Sequence, residues 1–402
     1  MNLSLPSHNE NGMVLITGLM LIATLSILSA TAYMISSLEL MISRNYLAEK
    51  KAFYMAEAAV EETRARLPDL LADAWENPQL EDGQWRAFLL GGEVSIQDFS
   101  GEGFDSYDAN HLDHHLYSSF QSDMTCLAEA RHMTERDLGA DLNHDSDTDD
   151  LIFWGDGNGD FVSEENVASG MPMEWIMGVG MYGGAIRRAG VKIRPSPVFL
   201  APPAALYANG HIYKTGGGGS AVGRGSGSGC VAIPDVMTTA KATNAEGKAR
   251  SWPAGSSSPS RFVEISNAAY PVEETLARAE SHASEIIAPG VYSFANYGGA
   301  NQRVNLFFCP SDLTLSNLSG YGLLVVGGNL VISGNISWQG VIISKKGITI
   351  ESGGAQEIRG AVISGGDVRI TGAPDILYDC HITRRLQTAQ ADYHVAGWTH
   401  LQ

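Results

Sequence analysis

The sequence predicts an α+β protein made of a long N-terminal helix, a small β head and a parallel β-solenoid. Three observations predict it. No charged side chain occurs from Asn11 through Leu38, and neither Gly nor Pro interrupts the chain from Leu19 to Leu67. Short β-type runs set off by glycines replace the helical pattern after Pro68. In the C-terminal half, ten-residue stretches opening at Leu323, Val341 and Ala361 align without gaps, 18 and 20 residues apart. Composition agrees: 402 residues with 44% hydrophobic and 18% charged side chains and 45 glycines suit an ordered, turn-rich chain and exclude a disordered one. Lys plus Arg number 26 against 45 Asp plus Glu, and the resulting charge of −19 repels phosphate backbones, so nucleic acid is not an expected partner. Cys126, Cys230, Cys309 and Cys380 contain no C-x-x-C pair; their even, dispersed count fits one or two disulfides in an oxidising compartment and also fits reduced core thiols.

The first element is the helix. The run from Met13 to Ile35 is long enough to cross a bilayer once. It is too long for a signal-peptide core and no Lys or Arg precedes it, so the helix is expected to stay on the protein. Beyond the span, Leu38, Met41, Ile42, Ala48, Ala52, Met55, Ala56, Ala59 and Val60 recur at threes and fours with charged residues between them. Pro68 is the expected end. A helix over 13–67, membrane-spanning over 13–36, would run to roughly 80 Å, so its second half must leave the membrane and pack elsewhere.

That shape, and residues 12–67 in particular, resemble the N-terminal domain of PilX-type minor pilins, a type IV pilus assembly family. The likeness is carried by Gly12-Met13-Val-Leu-Ile, Leu38-Glu39, Asn45-Tyr46 and above all Ala52-Phe53-Tyr-Met-Ala56-Glu57-Ala58-Ala59-Val60-Glu61. The resemblance implies that residues 1–12 are a leader, that prepilin peptidase cuts between Gly12 and Met13, and that the new N-terminus is methylated. It implies other pilins and pilus assembly proteins as partners, with a single pass in the inner membrane and a periplasmic or extracellular C-terminal part. At the fifth position after the cut most pilins carry a glutamate that neutralises a neighbour's N-terminus. This chain has Thr17 there, which suits a tip or low-abundance position better than the repeating shaft.

Residues 68–203 read as a pilin-like α+β head. Glu174–Val179 and Ala185–Ile193 flank Gly180-Met-Tyr-Gly-Gly184 as a β-hairpin, and Glu93–Gln97 and Leu151–Trp154 are further strand candidates. Gly178-x-Gly180-x-x-Gly183 has dinucleotide-fingerprint spacing, but β-type residues follow where a helix is needed, so that reading is rejected. The head's chemical signal is a pair of acidic runs. Asp141, Asn143, Asp145 and Asp147 alternate in the first, and Asp156, Asn158 and Asp160, followed by Glu164, in the second. Hard oxygen ligands at alternate positions of a curled loop converge on one ion, so calcium is the expected cofactor, with Asp156-Gly-Asn-Gly-Asp160 the stronger half. Neither run is a complete EF-hand. His111-x-Asp113-His114-His115 has metal-ligand types but no second cluster at zinc-finger spacing, and reads as surface histidines in a polar loop.

Residues 204–383 read as the solenoid. Gly322, Gly340 and Gly360 lead the three copies, and Ile342, Val362, Ile348 and Val368 are expected to stack inward as ladders. Ala205–Gly216 is an outlying copy before an insertion over 217–300, which opens with a glycine-serine run read as a mobile loop and contains a short helix near Val272–Ile287. Residues 384–402 are left as a tail. The solenoid's carboxylates, Glu351, Glu357, Asp367, Asp375 and Asp379, are scattered, and no nucleophile elbow or H-E-x-x-H is present, so no catalytic residue is expected and the chain is not read as an enzyme. A membrane-anchored adhesin or carbohydrate-binding solenoid independent of any pilus is the alternative to a minor pilin.

Overall fold

The computed structural model describes residues 10–74, 85–91, 113–117, 125–158, 160–167, 170–215, 222–224, 233, 235–240, 242–244, 262–264, 268–298, 305–351 and 353–401. A long apolar helix leads into a mostly β chain that contains a parallel β-solenoid. The leader up to residue 9, the Glu93–Gln97 candidate, His111 and Cys230 lie outside the described residues.

α1 (Glu10–Ala74) is a single helix of 65 residues, roughly 100 Å long at 1.5 Å per residue. It does not stop at Pro68. A proline removes one i to i−4 hydrogen bond, and the good helix formers Leu70, Leu71 and Ala72 resume the pattern after it. Along the second half, Ala52, Ala56, Ala59, Val60, Thr63 and Leu67 are buried, a three-four spacing that puts them on one face.

That face lies on a six-stranded sheet with the order Asp113–Tyr117, Arg86–Gly91, Thr125–His132, Glu174–Tyr182, Ala185–Ser196, Asp392–Leu401. The first pair is parallel and the rest antiparallel. The expected hairpin is present, with both strands longer than the sequence suggested. Its turn is Gly183-Gly184 at φ 58° and 83°, the left-handed pair a two-residue turn requires. The glycine fingerprint rejected as a nucleotide site is where the helix meets the sheet. A Cβ at Gly178 would collide with Ala56 O, and one at Gly180 with Ala52 O and, at 2.6 Å, with Ala56 N. Small residues on both surfaces thus let backbone approach backbone.

The head differs from two expectations. Asp113, His114 and His115 belong to a parallel edge strand and not to a loop. The C-terminal stretch is not a tail: Asp392–Leu401 completes the head sheet beside Ala185–Ser196, burying Tyr393 and half-burying Val395 while Asp392 and His394 face solvent. Its period of two matches a strand with one buried side.

Beside the sheet, a short helix α2 (Glu135–Leu138) carries a capping box between Thr134 and Asp137 and ends on Gly139 at φ 66°. A small three-stranded sheet follows, in the order Glu164–Asn166, Phe153–Gly155, Met171–Pro172.

The solenoid stacks in parallel with the register the repeats imply. Leu323, Val341 and Ala361 align, as do Leu330, Ile348 and Val368. Ile342, Val362, Ile348 and Val368 are all buried in its core. One face of each rung, such as Leu323–Val326 or Val341–Ser344, is buried along its whole length. The explanation is double coverage: α3 (Val272–His282) and α4 (Cys380–Ala389) pack outside it, as parallel sheets require. Gly322, Gly340 and Gly360 turn the corner between faces at φ 143°, 148° and 135° and stack on one another.

The outlying copy is not a separate element. Leu206–Ala208 and Ile212–Lys214 dock directly onto the third repeat, Leu206 beside Val362 and Ile212 beside Val368, so this rung joins chain segments some 150 residues apart in sequence. The insertion contributes further strands: Val236–Thr238 and Ala242–Asn244 stack on that rung, and Phe262–Glu264 stacks on Val236–Thr238. Within the run read as a mobile loop, Val222–Arg224 pairs with Asp375–Tyr378, a correction explained by Val222 meeting Ile376 in register. Cys126 and Cys309 are buried free thiols and Cys380 is disulfide-bonded. Burial, with Glu62 nearby, pushes the Cys126 thiol up to about 11, which keeps it protonated and unreactive at neutral pH.

Candidate functional site

Two surfaces could carry function, the free half of α1 and the acidic loop of the head. In α1, Met13 is 74% exposed and Tyr33 77%, and Leu21, Ile22, Ile27 and Leu28 are likewise uncovered. Met13–Leu67 is the one described helix long and apolar enough to cross a membrane. Gly12 and Met13, the expected processing pair, lie inside this helix. The Thr17 hydroxyl donates back to Met13 O at 2.8 Å and Val14 O at 3.1 Å, so it is spent on its own helix. Where free half becomes docked half, Arg187 pairs with Glu49 at 2.9 Å and Lys51 donates to the Tyr182 hydroxyl at 3.0 Å, both from the hairpin tip.

In the acidic loop, both runs curl around their first aspartate. Asp141 accepts from the backbone N–H of His144 at 2.6 Å and of Ser146 at 3.0 Å. Asp156 accepts from those of Asn158, Asp160 and Phe161 at 3.2, 3.1 and 2.7 Å. His144, Ser146 and Phe161 adopt positive φ to make these curls. Asn143 and Asp145 cap the backbone N–H two residues ahead of each, and Asn158 and Asp160 do the same. Glu164 starts a strand of the small sheet, and its Oε1 would sit 3.3 Å from a Cβ at Gly157, which places it over the second run.

Among the described residues the one convergence of three His, Cys, Asp or Glu side chains joins Asp147 and Asp150 of the first run to Glu135 of α2, with a ligand atom of each within 4.8 Å of the others. Asp147 is common to this group and to the expected set; Glu135 and Asp150 are not in that set. The Thr134-x-x-Asp137 capping box was the sequence signal that could have placed a helix start, and Glu135 with it, against the loop. α2 is held firmly. Arg131 grips Asp137 through two hydrogen bonds of 2.7 and 2.6 Å and the Thr134 N–H adds a third at 2.9 Å. Burial pushes the Asp137 carboxyl up, but the Arg131 and Thr134 bonds outweigh it and hold it below the usual range.

No family model and no curated protein matches the sequence. Among solved structures, the competence-associated pilin ComZ from Thermus thermophilus is 11% identical over 88% of this chain and 97% of its own, with a TM-score of 0.24. The DUF3494 domain of an ice-binding protein from Shewanella frigidimarina is 15% identical over 45% of this chain and 98% of its own, with a TM-score of 0.23. At these scores neither likeness assigns a role.

Proposed function

We propose that the chain is a minor, PilX-like component of a type IV pilus, a non-enzymatic subunit that primes or caps assembly through α1 and displays the solenoid outward. The observation that carries the reading is the division of α1: one apolar half bare, the other docked on the head sheet through Ala52, Ala56 and Gly180. A bare apolar rod of this length costs about 25 cal/mol for every Å² left in water, so it must sit in lipid or among other such helices. In a bundle of pilin spines, a charged N-terminus brought into low dielectric costs several kcal/mol unless a carboxylate compensates it. Thr17 has no charge to offer and its hydroxyl is already bonded. A subunit with no such carboxylate belongs where no second N-terminus lies beside it, at a tip or in a priming complex within the inner membrane.

Quantifying the chain in filaments sheared from host cells tests this. It should be present far below the major pilin, and its deletion should lower pilus number while the major subunit is still made and processed. Stoichiometry comparable to the major pilin would overturn the tip or priming assignment. Absence from filaments with unchanged pilus number would favour an anchored adhesin.

A further inference from the structure

Glu135 is the first residue of α2 and is entirely buried. Its Oε1 accepts the Leu142 N–H at 2.5 Å, while its buried Oε2 has no hydrogen-bond partner. A buried carboxylate oxygen without a donor is unfavourable unless something positive meets it. The groups that converge with the Glu135 carboxylate are more carboxylates, Asp147 and Asp150, one oxygen of each of the three lying within 4.8 Å of the others. Nearby guanidinium groups have their own partners, Arg136 on Asp149 at 2.8 Å and Arg131 on Asp137.

The loop is tied to the helix so that this convergence is held in place. The Glu135 N–H donates to Asp150 O at 3.0 Å and the Arg136 N–H to Thr148 O at 2.9 Å. Asn143 Nδ2 donates to Asp150 Oδ2 at 2.6 Å and to Asp145 Oδ2 at 3.0 Å, which fixes the Asp150 side chain.

We propose that Glu135, Asp147 and Asp150 bind one calcium ion, which clamps loop 141–150 onto α2. Oxygens held about 2.3–2.6 Å from a common calcium lie at most about 5 Å apart, and one oxygen of each of these three carboxylates lies within 4.8 Å of the others. A set of carboxylates without His or Cys selects a hard cation, and an irregular curled loop suits calcium, which tolerates uneven geometry better than magnesium does. Glu135 and Asp150 are ligands the alternating acidic pattern does not contain, and the buried Glu135 makes the site part of the folded head.

The test is calcium titration calorimetry on the full-length chain in detergent, stripped with EDTA, in an Asp156→Ala plus Asp160→Ala background that removes the second run. One calcium per chain should bind. Glu135→Gln, which keeps the shape and removes the charge, should weaken binding at least tenfold, or about 1.4 kcal/mol. Asp147→Asn plus Asp150→Asn, changes outside the core, should abolish binding while the circular dichroism spectrum stays that of the parent. No binding by the parent, or undiminished binding by the folded Asp147→Asn plus Asp150→Asn chain, would overturn the proposal. So would equal affinity in a folded Glu135→Gln chain.

Discussion

Gly180→Val should lift α1 from the head sheet and lower stability by at least about 3 kcal/mol. Overpacking of this kind commonly costs about 1–3 kcal/mol, and here the new side chain meets backbone, at Ala52 O and Ala56 N, which cannot rotate away. The helix can escape the clash only by moving outward, which uncovers Ala56, Val60 and Leu67 together with the sheet residues Ile176 and Ala128 beneath them. At roughly 2–4 °C per kcal/mol, the head's melting temperature should fall by about 6 °C or more. Gly397→Ala, where a Cβ would touch nothing, should change it little. Thermal melts of both variants in detergent, followed by near-ultraviolet circular dichroism, check the prediction. Equal melting temperatures would mean that the helix does not rest on Gly180.

Gly340→Ala should disrupt the solenoid by a comparable amount. Gly340 sits at φ 148°, a conformation that L side chains rarely adopt, and its Cβ would overlap the Gly322 carbonyl oxygen of the rung before. Strain of about 1–3 kcal/mol and a steric clash therefore add. Gly360 stacks on Gly340 in turn, so the displacement passes to the next rung. Gly184→Ala gives the contrast: its φ is also positive, but a Cβ there meets nothing, so only the strain remains. A Gly340→Ala melt indistinguishable from that of Gly184→Ala would show that the glycine corner is not a tight stack.

The fold was legible where one physical signal acted alone. The repeats at Leu323, Val341 and Ala361 disclosed the solenoid because equivalent residues of parallel rungs must share one pattern. The long helix was visible because nothing but lipid or other helices suits residues 13–36. The head and the outer solenoid rung were less legible because their pieces are distant in sequence: Asp392–Leu401 closes a sheet begun before residue 91, and Leu206–Lys214 and Asp375–Tyr378 stack together on the third repeat as one rung. No local pattern reports such pairings. The acidic loop shows the same division. Alternating oxygen residues marked the loop, but Glu135, six residues before Asp141, depends on how α2 is capped and where the loop folds back. Conversely, the dinucleotide spacing of Gly178 and Gly180 was excluded by the β-type residues after it, but their use as a packing surface for α1 was not legible, since glycine serves any close backbone approach.

Whether α1 is a pilin-type spine is written in the N-terminus of the protein in the cell. Intact-mass and terminal-peptide mass spectrometry of the membrane-extracted chain should find it beginning at Met13 with a methylated amino group, the product of cleavage after Gly12. An intact Met1 in cells with active prepilin peptidase would rule out a processed pilin spine and leave α1 as an ordinary membrane anchor.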